Sequence, residues 1–487
     1  MPPPLVSQAQ VKELPFIAKF AWFMFKLGFG LVSLATVWTT AVLKDGVLWA
    51  KDTEEEKDQL AAAQEKYWSL RRDPLPGFRH AFFTTTTGAR LHYITNAEAG
   101  APDFKNMCLF IHGFPDSFLL WRHIIQSPEL QHKHILIAVD LPGYGGSDSL
   151  PSYGPDEILE TMTEFILDMR RQYMQINRRV VVATHDWGAL VGFRLAAEAS
   201  QLADHWIITS GILPRLTTVN AAANMSLSRK MFRTYLYSPW HLGLLKNGWA
   251  TFGPVRSQFR RSFYIFCFHL PKPFSNFFGM FGNYWFLRTM HSLSKGKLGK
   301  DEKLLGCLNP KEAGEAMAMS IGPGMRQLDE NPEDNSSLRY GESLRKRLHD
   351  RGMSEKARIY QDGLFLGKWE KSLQTAVALF EIGAADEGTM AHQHIAALKA
   401  PATILLGERD PAFDWQLALT GIKEFLTRGS HVVMVKDAGH WLPLEPSGRR
   451  VVEKVISWAL NEEAKTEREG KSTLFATMSD ARVVLEM

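Results

Sequence analysis

Cysteine is scarce in this chain, with three residues, Cys108, Cys267 and Cys307, spread over 487 positions. Residues so far apart exclude a disulfide-stapled scaffold, and their spacing matches none of the patterns by which proteins hold zinc. We therefore predict no metal site, and we expect the three thiols to be small buried apolar groups.

A strong excess of one charge is also missing. The 56 basic and 52 acidic residues leave a formal net charge of +4. There is no basic stripe of the kind that binds nucleic acid, so we predict no nucleic-acid partner, and there is no acidic tail. The length allows two or three domains, or one large α/β core with insertions.

One long run without charge lies near the N-terminus, from Leu27 to Leu43. Together with the apolar residues 20–25, and despite Lys26, it approaches the roughly 20 residues that cross a bilayer. No cleavage site with small residues follows, which favours a single-pass anchor over about residues 20–43, and we expect the endoplasmic reticulum as its location. An interfacial helix stays open, because Lys19 and Lys26 share one helical face. The basic residues on the two sides balance, so the orientation is not predicted.

Alternating strand and helix patterns predict a doubly wound, mostly parallel sheet, interrupted by a long segment without that rhythm, which predicts an inserted helical cap. A charged, Ala-rich segment after the anchor predicts a solvated helical linker, and the C-terminal segment predicts a loosely ordered tail. The predicted parts are the N-terminal segment with the anchor (1–50), the linker (51–76), the first part of the core (77–212), the cap (213–397), the second part of the core (398–460) and the tail (461–487).

The stretch RRVVVATHDWGALV, residues 178–191, turns sharply from a strand into a helix. A buried-strand pattern ends before Thr184, a helical pattern begins after Gly188, and Asp186 lies at the turn between them. This is the shape of the nucleophile elbow of the α/β-hydrolase fold, whose usual motif is G-x-S-x-G. Thr184 stands in place of the first glycine and Asp186 in place of the serine.

An aspartate at the elbow narrows the chemistry to attack on a saturated carbon. A serine attacking such a carbon would leave an ether that water cannot open, whereas a carboxylate leaves an alkyl ester that water can cleave. Asp186 therefore indicates an epoxide or an alkyl halide as the electrophile. The alternative is a solvated aspartate in an ordinary loop, because a motif is a hypothesis until its context is known.

Two later strand ends supply an acid and a base. Asp410 follows the strand pattern ATILL, and His440 follows VVMV. The order Asp186, Asp410, His440 is the nucleophile, acid and base order of this fold, and parallel strands bring such residues to one edge of the sheet. We predict that His440 activates water and that Asp410 orients its imidazole and stabilises the charged form. A core histidine and a turn aspartate are the alternatives for each residue taken alone.

The segment His112-Gly113-Phe114-Pro115 follows an earlier strand and predicts an oxyanion hole. In this fold one N–H group comes from such a loop and one from the residue after the nucleophile, which are Phe114 and Trp187 here. We place His112 and Pro115 at the substrate pocket. A tight structural turn is the alternative, and the two interpretations are compatible.

These motifs together resemble the epoxide hydrolases of the α/β-hydrolase superfamily. The resemblance spans roughly residues 77–460 and is carried by HGFPDSFLLWR, DLPGYGGSD, HDWGALVGFRLA, GERD and AGHWLPLEP. It implies the α/β-hydrolase fold, hydrolysis of an epoxide to a vicinal diol without a cofactor, and cap tyrosines that donate to the epoxide oxygen. One of these precedes a Phe-x-x-Pro step, which gives Tyr264. The family spacing places the second cap tyrosine at position 380, where this sequence has Phe380. Phe380 has no hydrogen-bond donor, and we assign it to the substrate pocket. Tyr360 would serve as the second donor only with a different cap geometry.

Two other functions stay open. A haloalkane dehalogenase would hold its leaving halide through the indole of Trp187, although that family usually has Asn where Phe114 stands. A membrane-tethered binding protein with a decayed pocket is favoured only by Phe380.

The anchor and the aromatic early cap predict a lipophilic small molecule as substrate. The oligomeric state is not predicted, and the sequons at Asn224 and Asn335 matter only in a lumenal domain.

Overall fold

A nine-stranded sheet organises the chain in the computed structural model, which describes residues 16–97, 106–173, 178–295, 308–330, 338–383, 397–461 and 474–487. The strands are β1 (Arg79–Thr84), β2 (Arg90–Thr95), β3 (Met107–Ile111), β4 (Ile135–Val139), β5 (Val180–His185), β6 (His205–Thr209), β7 (Ala402–Gly407), β8 (His431–Val435) and β9 (Ala481–Glu486). Their spatial order is β1-β2-β4-β3-β5-β6-β7-β8-β9. Strands β3 to β8 pair in parallel, and the strands at both edges pair antiparallel. The predicted doubly wound, mostly parallel sheet is confirmed.

Helices surround this sheet and fill the segment between β6 and β7. In chain order they are α1 (Phe16–Asp45), α2 (Glu54–Trp68), α3 (Arg122–Ile125), α4 (Pro128–Gln131), α5 (Pro155–Tyr173), α6 (Trp187–Glu198), α7 (Pro214–Tyr237), α8 (Leu242–Arg261), α9 (Phe263–Phe268), α10 (Lys272–Ser294), α11 (Pro310–Ile321), α12 (Met325–Leu328), α13 (Glu342–Arg347), α14 (Met353–Gln361), α15 (Leu373–Gly383), α16 (Trp415–Leu419) and α17 (Pro446–Leu460).

The central strands β3 and β5 are buried along their whole length. All five residues of β3 and all six of β5 are inaccessible to solvent, which requires apolar side chains on both faces of a parallel sheet. Helix α17 covers one face with residues at helical spacing, among them Val451, Val455 and Trp458. Cys108 and Cys267 are buried as predicted, and Cys307 lies outside the described residues.

Helices α7 to α15 occupy the interval predicted as the cap, from Pro214 to Gly383. The end of that interval, at residues 384–396, and the second sequon at Asn335 lie outside the described part of the chain. The exact boundaries at 213 and 397 therefore stay a prediction. The described cap helices cover the carboxyl end of β5, where they close the site considered below.

The apolar segment near the N-terminus forms one continuous helix, α1, which extends beyond the predicted range of 20–43 at both ends. Its length and composition are sufficient to cross a membrane. Its second half packs against the cap, since Ala41 is fully buried and the Asp45 carboxylate accepts a hydrogen bond of 2.8 Å from the Trp285 indole. Its first half is largely exposed, with Phe16 81% and Phe20 55% accessible.

Helix α2 is not the solvated linker that its charged composition predicts. Tyr67 and Trp68 at its C-terminal end are buried, and the Trp68 indole donates a hydrogen bond of 3.0 Å to the carbonyl of Ala318 in α11. The Trp68 ring also meets Phe118 edge-on at 5.0 Å. Most of the charged residues of α2 are exposed, so composition averaged over the helix concealed a buried end.

Replacing Trp68 with Ala is expected to lower the free energy of unfolding by about 3–5 kcal/mol, because a fully buried indole leaves a cavity and an unpaired carbonyl. Urea unfolding in detergent measures the change. Asp58→Ala, at an exposed position of the same helix, is the control and is expected to change stability by less than about 0.5 kcal/mol. Equal losses in the two variants would contradict a structural role for this end of α2.

The C-terminal tail is not loosely ordered throughout, contrary to the prediction for residues 461–487. Residues 481–486 form β9, which pairs antiparallel with β8 from Val435↔Ala481 to His431↔Glu486. Residues 462–473 lie outside the described chain. Strand β9 carries exposed side chains on most positions, so its sequence lacks the apolar signal of a core strand, and backbone pairing at the sheet edge determines its place.

Candidate active site

Asp186 lies at a strained turn between β5 and α6, with φ 53° and ψ −115°. Such angles are costly for a residue with a Cβ and are typical of functional positions held by their surroundings. Gly188 permits the turn, because a Cβ there would lie 2.3 Å from the carbonyl oxygen of His112. Thr184 is compatible with the elbow because it belongs to β5, where it pairs in register with β3.

The loop after β3 touches the elbow directly. The backbone N–H of Phe114 donates a hydrogen bond of 2.8 Å to Oδ1 of Asp186. Gly113 allows this approach, since a Cβ on it would lie 2.6 Å from the Asp186 side chain. Trp187 is the first residue of α6, where backbone N–H groups have no acceptor within the helix. The Phe114 N–H, one of the two predicted oxyanion-hole donors, thus contacts the Asp186 carboxylate, and the other, Trp187, follows Asp186 directly in the chain.

His440 lies between two carboxylates. Its Nδ1 is 2.8 Å from Oδ2 of Asp410, and its Nε2 is 3.4 Å from Oδ2 of Asp186. Burial opposes protonation of His440, but the charges and hydrogen bonds of the two carboxylates outweigh it and raise its pKa well above the usual value. The structure therefore brings Asp186, Asp410 and His440 together as the sequence predicts.

A cavity of about 560 Å³ opens in front of Asp186 and His440. Tyr264 from α9 and Tyr360 from α14 both line it, and their rings meet edge-on with the centroids 5.9 Å apart. Burial, followed by nearby groups that include Asp186, raises the pKa of both phenols above the usual value. Both tyrosines are therefore neutral hydrogen-bond donors over the physiological pH range.

The assignment of Phe380 to the pocket is wrong. Phe380 lies on α15 with 71% of its surface exposed, and it is not among the described residues that line the cavity. Tyr360, twenty positions earlier, supplies the second phenol because α14 packs against α9 and α10. A sequence signal existed: Met353, Ala357 and Tyr360 follow one another at helical spacing on the buried face of α14.

His112 and Pro115 also lie outside the cavity lining, contrary to the prediction. His112 is fully buried, its Nδ1 donates to the carbonyl of Gly113 at 2.8 Å, and its Nε2 accepts the N–H of Leu141 at 2.9 Å. Burial lowers the pKa of this imidazole, which keeps it neutral. His112 therefore fixes the loop that presents the Phe114 N–H, and the structural-turn interpretation applies to it.

Asp116 was not singled out in the sequence, although it is buried at the same site. Its Oδ2 accepts a hydrogen bond of 3.1 Å from the indole of Trp441, the residue that follows His440. Burial raises the pKa of Asp116 to about 7. It connects the loop after β3 with the loop after β8, which positions the two loops relative to each other.

The chain matches the family model described as alpha/beta hydrolase fold over residues 108–238. Epoxide hydrolase 2 of Caenorhabditis elegans is 34% identical over 32% of this chain and 41% of its own length. A haloalkane dehalogenase of Sphingobium indicum is 37% identical over 23% of this chain and 35% of its own length. The crystal structure of the Cif epoxide hydrolase from Acinetobacter nosocomialis has a TM-score of 0.47 and 17% identity, and covers 85% of this chain and 99% of that one.

The chain spans less than half the length of the first curated relatives it matches, between 41% and 46% of each. These first relatives are epoxide hydrolases of nematode and mouse. The matched family segment contains the loop after β3, the elbow and the start of the cap. Over this segment the chain is therefore similar to proteins of the alpha/beta hydrolase fold, and the first curated relatives that share it are epoxide hydrolases.

Proposed function

We propose that the protein hydrolyses an epoxide to a vicinal diol through an alkyl ester on Asp186. The observation that carries this proposal is the presence of two phenols, Tyr264 and Tyr360, in the same cavity as the Asp186 carboxylate. An epoxide oxygen becomes an alkoxide when the ring opens, and a neutral phenol can bind that oxygen and give it a proton. A carboxylate opposite the phenols is suited to attack the ring carbon.

In the first step, a carboxylate oxygen of Asp186 bonds to a ring carbon, the carbon–oxygen bond of the epoxide breaks, and a tyrosine protonates the leaving oxygen. In the second step, His440 removes a proton from water, and the hydroxide attacks the ester carbonyl. The backbone N–H groups of Phe114 and Trp187 stabilise the resulting oxyanion. When it collapses, the ester carbon–oxygen bond breaks and the departing alkoxide takes the proton held by His440, which gives the diol. The proton left on Asp186 returns to the tyrosine phenolate, which restores the carboxylate and the phenol.

The pair of carboxylates beside His440 supports this order of events. In the free protein both charges favour the imidazolium form. Ester formation removes the charge of Asp186, so only Asp410 continues to raise the pKa of His440. The imidazole thereby becomes a better base at the stage at which a base is needed, while Asp410 keeps it oriented.

Alkyl halide hydrolysis is the second candidate, favoured by the match to a haloalkane dehalogenase. It would use Asp186 and His440 in the same way. The Trp187 ring, however, packs edge-on against the Tyr360 ring, with the ring centroids 4.6 Å apart. A halide needs no proton on leaving, so this chemistry gives the two buried phenols no role, and we rank it second.

The substrate we propose is lipophilic. Phe114, Phe263, Phe286, Met290 and Leu293 contribute apolar walls to the cavity. Such walls favour an epoxide with an extended hydrocarbon part. Membrane attachment through α1 belongs to this proposal and is supported by the length and composition of α1. We propose the endoplasmic reticulum as the membrane.

The proposal is tested by a single turnover of excess protein with a lipophilic epoxide in ¹⁸O-water. We expect ¹⁸O in the peptide that contains Asp186 and an unlabelled diol, because the diol oxygen comes from the carboxylate and water attacks the ester carbonyl. The peptide containing Asp410 is the internal control and should stay unlabelled. Labelled diol with no label in Asp186 would mean direct attack by water and would reject the ester.

A further inference from the structure

A long stretch of the chain lacks acidic residues altogether. Between Asp204 and Asp301 the sequence contains no Asp or Glu, whereas it contains 13 Lys and Arg residues. This stretch includes helices α7 to α10. The near balance of charge over the whole chain therefore conceals a strongly cationic half of the cap.

The turn between α7 and α8 exposes large apolar side chains. Leu236, Tyr237, Trp240 and Leu242 are 76%, 79%, 88% and 66% exposed. We call residues 229–249 the tip surface. Clusters of this kind, with aromatic rings that have an apolar body and a polar edge, are typical of membrane interfaces and are uncommon on freely soluble domains.

Cations surround this apolar cluster. Arg229, Lys230 and Arg233 on α7 and Lys246 on α8 are exposed, and none of them forms an ion pair with any residue that the structure describes. Aromatic side chains rimmed by unpaired Lys and Arg match a bilayer with anionic headgroups. A second copy of this chain fits less well, because it would bring two cationic surfaces of the same kind together.

One face of α8 connects the tip surface with the cavity. Leu242, Lys246 and Trp249 follow each other at intervals of four and three residues on the tip side, and the same face continues to Arg256 and Arg260. Both arginines line the cavity, and the Arg256 guanidinium lies over the Trp249 ring. The cavity-lining arginines and the tip surface therefore share one exposed face of α8.

The same part of α8 also contacts the apolar N-terminal helix. Phe259, between the two cavity-lining arginines, meets Phe25 of α1 at 5.5 Å and Phe29 at 5.8 Å. From this contact toward the N-terminus the aromatic residues of α1 are exposed, including Phe20 and Phe23. The part of α8 that lines the cavity thus contacts the apolar helix α1 and continues along the chain into the cationic, aromatic tip surface.

We propose that the tip surface is a second membrane-binding surface, specific for bilayers with anionic lipids, and that with α1 it orients the opening of the cavity toward the bilayer. The exposed apolar residues insert among the headgroups, and the cations bind lipid phosphates and carboxylates. An apolar ligand then enters from the lipid phase and does not cross water. We infer the lipid contact from the charges and exposed side chains of the tip surface alone, so it does not depend on the proposed reaction.

The test uses the full chain in phosphatidylcholine vesicles with or without phosphatidylserine, and it needs no turnover. An environment-sensitive fluorophore is attached at Trp240→Cys in a Cys307→Ser background, since Cys108 and Cys267 are buried. The same fluorophore at Trp22→Cys in α1 measures whether α1 inserts into the bilayer. At Lys454→Cys, an exposed position on α17 of the core, it gives the signal expected for a position that stays in water. Nitroxide-labelled lipid is the quencher.

In vesicles with phosphatidylserine, we expect the nitroxide-labelled lipid to reduce the emission of the fluorophore at position 240 by at least about half. This quenching should weaken in high salt, and the fluorophore at position 454 should show none. The double variant Arg229→Glu with Arg233→Glu should abolish the quenching at position 240. The double variant Lys423→Glu with Lys454→Glu, which changes the charge by the same amount elsewhere, should leave it unchanged. Quenching at position 22 without quenching at 240, or equal quenching at 240 in both vesicle types, would overturn the proposal. Protection of position 240 only by self-association would assign the surface to a second copy instead.

Discussion

Replacing His440 with Gln is expected to stop the reaction at the alkyl ester of Asp186. Glutamine cannot deprotonate water, so the first step proceeds and the second fails, and steady-state turnover falls by about 10²–10⁴-fold. The protein should gain the mass of one epoxide per chain after one turnover. Intact-mass spectrometry followed by peptide mapping locates the adduct on Asp186.

Two control variants make this result specific. Asp186→Ala should give neither adduct nor diol, because it removes the nucleophile. His123→Gln places the same substitution on an exposed histidine on α3, and we expect it to keep full activity. If His440→Gln turned over at the rate of the unmodified protein, or lost activity without forming an adduct, the assignment of His440 as the base for ester hydrolysis would be wrong.

Replacing either cavity tyrosine with Phe is expected to slow ester formation by about 10²–10³-fold, because each phenol stabilises charge that develops on the epoxide oxygen. The double variant Tyr264→Phe with Tyr360→Phe should lose more than either single variant. The rate of adduct formation is measured in a His440→Gln background, so that ester hydrolysis does not contribute. An alkyl halide, if it reacts, should show little dependence on the two tyrosines, because its leaving group needs no proton.

Phe380→Ala and Tyr237→Phe are the matched controls for this experiment. Phe380 is the position that family spacing selects, but its side chain is 71% exposed on α15, and Tyr237 is a tyrosine exposed on α7. Neither variant should change the rate of ester formation by more than about twofold. A large loss in Phe380→Ala with none in Tyr360→Phe would show that the cap adopts a different arrangement during the reaction.

The positions of the three residues that we propose as catalytic were predictable because the information needed is local. Asp186, Asp410 and His440 each follow a short apolar strand pattern, and strands that run in parallel end at one edge of a sheet. The order of the three along the chain then distinguishes the α/β-hydrolase arrangement from other parallel sheets. Strand β5 also pairs in parallel with β3. Because the two strands end side by side, Asp186 after β5 lies next to the N–H of Phe114 after β3.

The remainder of the site depends on which distant segments pack together: helical spacing indicates that Tyr360 is buried on α14, but not which cavity it lines. Tyr360 reaches the cavity only because α14 packs against α9 and α10, and counting residues back from Asp410 selected Phe380 instead. The sequence by itself determined the sheet, the elbow, and the positions of Asp186, Asp410 and His440, because strand burial and strand ends are properties of short segments. Only the tertiary structure decided the second tyrosine, the buried end of α2 and the pairing of β9. These depend on packing between segments far apart in the chain, whose side chains carry no periodic signal of their partners.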